Sequence, residues 1–146
     1  LAELNIVLPD APAPAANYVP FVQSGGLVFI SGQVSKGEKG LLTGKLGDSA
    51  SVEEGQAAAR SCALNLIAQM KAACGGDLDR VARVVKLTGF VNSAPGFPDH
   101  PAVVNGASDL MVEIFGDKGR HSRSAVGVAN LPFGVAVEVE AIFEIE

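Results

Sequence analysis

The segment from Ser51 to Gly76 constrains the fold most, because it carries the signals for both ends of one long helix. Ser51-Val52-Glu53-Glu54 is a capping box, in which the serine hydroxyl and the last glutamate each satisfy a backbone N–H that has no partner inside the helix. Small apolar residues then recur every three or four positions until Gly75-Gly76 ends the pattern: Ala59, Cys62, Ala63, Leu66, Ile67, Met70, Ala73 and Cys74. The pattern predicts a helix with a narrow apolar face that must pack against another element.

Runs of β-branched and aromatic residues on either side of this helix predict strands. Tyr18 to Gln23 and Leu27 to Gln33 flank a Ser-Gly-Gly turn, which is typical of an antiparallel hairpin. Val81 to Asn92 is rich in β-branched residues and predicts a buried strand after the helix, reached by a right-handed crossover. A second helix is predicted from Pro101, which tolerates the first helical turn, to just before Gly116.

Two further strands, Ser122 to Ala129 and Val135 to Glu146, are predicted to complete the chain. The segment from Ser35 to Asp48 is rich in Gly and Lys and leaves room for one short edge strand around Leu41-Leu42-Thr43. The predicted order is therefore β-β-(β)-α-β-α-β-β, within one domain over residues 18–146. Residues 1–17 contain several prolines and are predicted to form an extended arm. Because the chain starts at Leu1 rather than Met, we expect some residues to precede it.

The residue pattern of the last strand predicts that the second face of the sheet must pack against something other than the two helices. Val135, Val137 and Val139 alternate with Ala136, Glu138 and Glu140, so one side is aliphatic and the other mixes small and acidic residues. Two helices cover one face of such a sheet, and a chain of 146 residues has no third layer to spare. We therefore expect oligomerisation that packs sheet faces or edges together.

Composition argues against nucleic acids and membranes as partners. Sixteen acidic residues against eleven basic ones give a net charge of −5, which repels phosphate backbones, and seven Phe and one Tyr offer few surfaces for base stacking. No apolar run approaches the roughly 18 residues that span a membrane. Cys62 and Cys74 are separated by more than three helical turns, beyond disulfide reach, so we expect reduced thiols and a cytoplasmic location.

Common catalytic and metal-binding motifs are not present in the sequence. His100 and His121 lie apart, with no cysteine or paired carboxylate at ligand spacing, so no metal site is predicted. Ser31-Gly32 lacks the preceding glycine of a nucleophile elbow, and Gly37-Glu38-Lys39-Gly40 is better explained as a turn than as a phosphate-binding loop.

Arg123, at the start of an apolar strand, is the remaining candidate for chemistry. Its planar guanidinium suits bidentate binding of a carboxylate at a sheet edge. An equally good explanation from the residues alone is that Arg123 pairs with Glu138 or Glu140 across a hairpin.

The stretch from Arg123 to Ala141, together with Leu27-Val28-Phe29-Ile30-Ser31-Gly32-Gln33, closely resembles the RidA/YjgF family, which is also called L-PSP endoribonuclease-like. The resemblance covers residues 18–146 and includes Arg-Ser-x-Val, a following Leu-Pro, and Val-Glu-Val-Glu-Ala. It implies an α+β, chorismate-mutase-like fold, a mixed sheet with two helices packed on one face. It also implies a homotrimer whose sites lie between subunits.

The resemblance further implies an enzyme that hydrolyses enamine or imine intermediates, such as 2-aminoacrylate, to a 2-keto acid and ammonia without metal or cofactor. By position, Arg123 binds the substrate carboxylate and Glu138 positions the attacking water, and Glu138 is expected to stay ionised beside this cation. Ser31, Asn105 and Tyr18 fall where the family's other substrate-binding residues lie. A carboxylate-binding protein without turnover and an endoribonuclease are the alternatives.

Three departures from the family pattern place the chain in a divergent subgroup. Ala125 stands where many members carry cysteine, so thiol reactivity is absent there. The loop 92–101 is longer than in the best-studied members, and His121 replaces a small residue or proline two positions before Arg123. We therefore expect a pocket of different shape, whose substrate need not be 2-aminoacrylate.

Overall fold

A computed structural model, in which residues 4–11 and 18–146 are described, contains a five-stranded mixed sheet with two helices. The strands are β1 (Phe21–Ser24), β2 (Leu27–Val34), β5 (Val81–Asn92), β6 (Ser122–Val128) and β7 (Val137–Ile145), in the spatial order β1-β2-β7-β5-β6. Only β5 and β6 are parallel neighbours, and the other adjacent pairs are antiparallel. The predicted α+β fold is therefore confirmed.

The helices are α1 (Val52–Ala73) and α2 (His100–Phe115), close to the predicted segments. Chain connectivity places α1 between β2 and β5, and α2 between the parallel strands β5 and β6. The predicted edge strand between Ser35 and Asp48 is instead a separate two-stranded ladder, β3 (Lys36–Gly37) with β4 (Gly40–Leu41). The expected extended arm 1–17 lies partly outside the described residues, and within its described part Ile6 and Leu8 pack against the core.

The core fills the space between the helices and one face of the sheet. Val137, Val139 and Phe143 on β7 are fully buried there, and the Cys62 thiol of α1 donates to the Val137 carbonyl at 3.4 Å. Both cysteines are free and buried, as predicted, and burial raises the pKa of the Cys62 thiol. No helix in the described ranges combines the length and apolar character needed to span a membrane.

The opposite face of the sheet carries exposed apolar side chains around two acidic ones. Val22, Phe29 and Val126 are 52%, 42% and 44% exposed. Val22 pairs with Phe29, and Phe29 with Ile142, so these side chains share a face with Glu138 and Glu140. We call this the open face. The sequence predicted a sheet face that the helices do not cover, and the expected oligomerisation would cover it.

The capping box at the start of α1 forms as predicted. The Glu54 amide donates to the Ser51 hydroxyl at 3.1 Å, and the Ser51 amide donates to the Glu54 carboxylate at 2.9 Å. Both hydrogen bonds lower the pKa of Glu54. The box fixes where the longest helix of the fold begins.

Replacing Ser51 by Ala should lower the free energy of unfolding by about 1 kcal/mol, because the Glu54 amide loses its acceptor. The melting temperature should fall by roughly 2–4 °C. Thermal unfolding followed by circular dichroism measures the change, and Ser51→Thr, which keeps the hydroxyl, should retain most of the stability. A Thr variant as unstable as the Ala variant would contradict a capping role.

Candidate active site

Arg123 lies near the start of the edge strand β6 and faces α2. It pairs with Leu87, a fully buried core residue of β5, so its side chain is on the helix-covered side of the sheet. Its Nη1 donates to Asn105 Oδ1 at 2.8 Å and to Ser108 Oγ at 3.1 Å. Within the described ranges Arg123 forms no salt bridge, so the alternative in which it pairs with Glu138 or Glu140 is wrong.

The free edge of this guanidinium is the chemically significant feature. The two Nη1 hydrogens are taken by Asn105 and Ser108, whereas Nε and Nη2 have no partner among residues 4–11 and 18–146. Those two nitrogens form the donor pair that binds a carboxylate side-on with two parallel hydrogen bonds. Arg123 is half-buried, which strengthens such a pair relative to one in bulk water.

A second layer of polar side chains lies behind Arg123. Ser108 Oγ is 2.9 Å from His121 Nε2, and His121 Nδ1 is 2.6 Å from the Gly119 carbonyl oxygen. Burial, the largest cause, lowers the pKa of His121, the Gly119 hydrogen bond opposes it, and the charge of Arg123 lowers it further. These side chains line a cavity of about 250 Å³ between α2 and β6.

Sequence reasoning missed Ser108 and gave His121 no role. A signal was available, since Ser108 follows Asn105 by three residues, a spacing that places both on one face of a helix. Parity along β6 likewise places His121 and Arg123 on one side, two residues apart. Neither pattern could show that the two elements meet.

Glu138 lies on the other side of the sheet from Arg123. Its neighbours in β7, Val137 and Val139, point into the core, and Glu138 itself pairs with Phe90 and Val34 on the open face. Its carboxylate covers Gly32, where an added Cβ would be 2.1 Å from Oε2. Gly32 therefore leaves room for this side chain.

The expected influence of Arg123 on Glu138 is absent within the chain. Burial is the main cause that raises the pKa of Glu138, and the nearby Glu140 raises it further. Arg123 therefore does not stabilise the ionised Glu138 within one chain, and a carboxylate kept ionised by an adjacent Arg123 stays a prediction for a site shared between subunits. The reason is geometric, because β5 separates β6 from β7 and the two side chains point to opposite faces.

Ser31 and Tyr18 lie on the β2 side of the sheet. The Ser31 hydroxyl donates to the Val19 carbonyl at 2.8 Å, and the Ser31 amide donates to the Pro20 carbonyl at 2.9 Å. Ser31 thereby holds the segment that follows Tyr18, whose side chain is 47% exposed. Ser31 also precedes Gly32, the residue that Glu138 covers.

The five predicted site residues thus form two groups in one chain. Arg123 and Asn105 are joined by a hydrogen bond beside α2, whereas Tyr18, Ser31 and Glu138 belong to the part of the sheet formed by β2 and β7. Within a single chain these two groups stay apart and do not form one site. In the described ranges, no group of three or more His, Cys, Asp or Glu side chains could hold a metal ion.

Comparison with known proteins identifies close relatives over nearly the whole chain. Protein TCP17 of Trypanosoma cruzi is 58% identical over 99% of this chain and 91% of its own length. A protein of Dermatophagoides farinae named 2-iminobutanoate/2-iminopropanoate deaminase is 32% identical over 97% of this chain and 95% of its own. The crystal structure of Atu1372 from Agrobacterium tumefaciens, of unknown function, matches with a TM-score of 0.92 and 48% identity, over 99% of this chain and 89% of that one.

The family profile agrees with these matches. The profile described as YjgF/chorismate mutase-like, putative endoribonuclease, covers residues 1–143. The resemblance inferred from the Arg123 segment is thereby confirmed, and this chain belongs to the YjgF/chorismate mutase-like family.

Proposed function

We propose that this protein hydrolyses reactive enamine and imine intermediates to a 2-keto acid and ammonia. The observation that carries the proposal is the Arg123 guanidinium, held by Asn105 and Ser108 with its Nε and Nη2 edge free for a substrate carboxylate. The relative named 2-iminobutanoate/2-iminopropanoate deaminase supports the same reaction class.

The chemistry needs little beyond positioning, because the carbon of a protonated imine is already electrophilic. Arg123 binds the adjoining carboxylate, and Glu138 accepts a proton as water adds to the imine carbon. A new C–O bond forms and the C=N electrons move to nitrogen. Glu138 then returns that proton to the amino nitrogen of the carbinolamine and the C–N bond breaks. The hydroxyl O–H electrons form the C=O of the keto acid, and the hydroxyl proton passes to Glu138 and on to the ammonia, which leaves as ammonium.

Because Arg123 and Glu138 of one chain face opposite ways, the proposed site is composite. Arg123 and Asn105 come from one subunit, and Tyr18, Ser31 and Glu138 come from its neighbour in a homotrimer. The exposed apolar side chains of the open face support such an assembly, since burying them on a second copy removes apolar surface from water. Sedimentation equilibrium should give about three times the 14.9 kDa chain mass, and a purely monomeric protein would overturn the assembly.

The proposed reaction predicts a faster supply of keto acid from a coupled enzyme. Adding this protein to a serine or threonine dehydratase, which releases 2-aminoacrylate or its methyl homologue, should accelerate keto-acid release above the spontaneous rate. The accumulated enamine should fall in parallel. If the intact protein accelerates the release from neither dehydratase, the proposed function is wrong.

A carboxylate-binding protein without turnover is the second candidate. It is favoured by one observation, that the single chain already contains the complete carboxylate-binding half of the site in Arg123 and Asn105. Calorimetry with 2-ketobutyrate would then show binding, while keto-acid release in the coupled assay stays at the spontaneous rate.

An endoribonuclease, although part of the family's description, has less support from this chain. The net charge of −5 and the eight aromatic residues are unfavourable for binding RNA. A cytoplasmic location stays a prediction, as does the absence of a cofactor.

A further inference from the structure

The polar side chains behind Arg123 form one continuous chain of hydrogen bonds. It runs from the Gly119 carbonyl through both nitrogens of His121 to the Ser108 hydroxyl and on to Arg123 Nη1. These residues come from the 3₁₀ turn after α2, from the start of β6 and from α2 itself. The chain therefore ties the guanidinium to two separate elements of the fold.

The direction of each hydrogen bond follows from the chemistry of the groups. A carbonyl oxygen only accepts, so His121 Nδ1 carries a proton and donates to Gly119. Neutral His121 then has a lone pair on Nε2, which accepts the single Ser108 hydroxyl proton. Ser108 Oγ is left with its lone pairs directed at Arg123 Nη1, which donates to it.

The anchor of this chain is itself fixed by close packing. An added Cβ at Gly119 would be 2.2 Å from the Met111 carbonyl oxygen, so the backbone of Gly119 lies directly against α2. The Gly119 carbonyl, which accepts from His121, therefore belongs to a turn packed directly against the helix that carries Ser108. Asn105, one turn earlier on α2, accepts the other hydrogen bond from Arg123 Nη1.

Protonation of His121 would break this arrangement. Nε2 would then donate to Ser108 Oγ, as Arg123 Nη1 already does. The Ser108 hydroxyl would accept from two cations, and its own proton would lose His121 as acceptor. Of the charged groups facing His121, Arg123 on β6 and Arg120 before it are cations, and Asp109 on α2 lines the same cavity. Asp117 pairs with Arg120 at 3.3 Å, and the pKa of His121 is lowered, which keeps the ring neutral near pH 7.

We propose that Ser108 and neutral His121 are positioning residues, which orient the free Nε and Nη2 edge of Arg123 toward the substrate. Protonation of His121 weakens this orientation. This inference rests on the proposed function, because the substrate is the carboxylate that Arg123 binds. The consequence is a carboxylate site that loses affinity in mildly acidic solution, although neither the substrate carboxylate nor Arg123 changes its charge there.

Three variants test the proposal through the Michaelis constant and the pH profile. Ser108→Ala removes a bond to the Arg123 cation, and His121→Phe removes the acceptor that orients the Ser108 hydroxyl. Each should raise KM for the imine about tenfold, with kcat changed less than twofold, because the loss is the same in the ground and transition states. His121→Gln places an amide oxygen near Ser108 that accepts its proton and does not titrate. It should restore KM and abolish the rise of KM in acid, which in the unaltered protein is expected below the ordinary titration range of histidine because the pKa of His121 is lowered.

Controls separate positioning from simple loss of charge or fold. Arg60→Gln removes an exposed cation that pairs with Glu113 at 3.5 Å and lies outside this cavity, and its KM should match that of the unaltered protein. Ser108→Ala introduces a strong helix former at an α2 position and should fold normally, which keeps the test valid even if His121→Phe is unstable. Unchanged KM and pH profile in both Ser108→Ala and His121→Phe would overturn the proposal.

Calorimetric titration with 2-ketobutyrate distinguishes this inference from the proposed function. If the unaltered protein binds the keto acid about tenfold more tightly than Ser108→Ala, and more tightly at pH 7.5 than at pH 5.5, the positioning role stands even without acceleration of the dehydratase reaction. If the reaction is accelerated but binding is equal in both proteins, the deaminase function stands and the positioning role is wrong.

Discussion

Arg123→Ala should lower kcat/KM for a dehydratase-derived imine by about a hundredfold or more. Removing one member of a hydrogen-bonded charge pair costs on the order of 2–5 kcal/mol, and 1.4 kcal/mol corresponds to a tenfold change in rate. The loss is expected in both KM and kcat, because an imine without its anchor is also misplaced relative to the attacking water. Steady-state keto-acid release at several imine concentrations measures both constants.

Arg123→Lys should recover only a small part of this loss. A lysine ammonium is a point charge with three donors, so it cannot keep Asn105 and Ser108 as partners and still present two parallel N–H groups to a carboxylate. Arg60→Ala is the matched control, since Arg60 is an exposed arginine whose ion partner is Glu113 at 3.5 Å. An Arg123→Ala variant as active as Arg60→Ala would exclude Arg123 as the substrate anchor.

Mixed oligomers extend the prediction to the composite site. Arg123→Ala and Glu138→Gln should each be inactive alone, but refolded together in equal amounts they should regain about one quarter of the original activity. Random mixing gives mixed trimers about three quarters of the time, and each of these has one of its three sites intact. If Arg123 and Glu138 of the same chain acted together, the mixture would stay inactive.

The parts of the fold that the sequence predicted well are those determined by local chemistry. The capping box at Ser51 fixed the start of α1 within one residue, and the β-branched run over Val81–Asn92 matches β5 from end to end. The first strand begins at Phe21, three residues later than predicted, and the preceding Pro20 has no N–H to donate to a ladder. The ladder formed by β3 and β4 was missed because strands of two residues carry no periodicity.

The site was predictable only in part, because its geometry depends on sheet order. Resemblance identified Arg123 and Asn105, and their hydrogen bond brings them together as expected of neighbours in a site. That Glu138 faces the other way follows from strand parity combined with the order β7-β5-β6, which is determined by long-range pairing rather than by any local pattern. The same strand order separates Glu138 from the Arg123 of its own chain.

Close approach of the two helices is what places Asn105 and Ser108 over β6. Gly106 lies between these residues on α2, and an added Cβ there would be 2.1 Å from the Gln56 carbonyl oxygen and 2.8 Å from its carbonyl carbon. These are backbone atoms of α1, so they cannot turn aside as a side chain would. The neighbouring hydrogen bond from the Gln56 side chain to the Ala102 carbonyl, at 2.9 Å, also depends on this spacing.

Gly106→Ala should therefore destabilise the protein by about 3 kcal/mol or more, although Gly to Ala inside a helix ordinarily stabilises it. Urea unfolding measures the change, and the fraction that stays folded should bind carboxylates more weakly, because α2 must move and take Asn105 with it. Gly55→Ala in α1 is the matched control. An added Cβ there meets side-chain atoms of Leu46 and Val103 at 2.9 Å and 3.1 Å, which can shift, so a smaller loss is expected. Equal stability of the Gly106 variant and the unaltered protein would mean that the helices can separate without cost, and the placement of Asn105 would need another explanation.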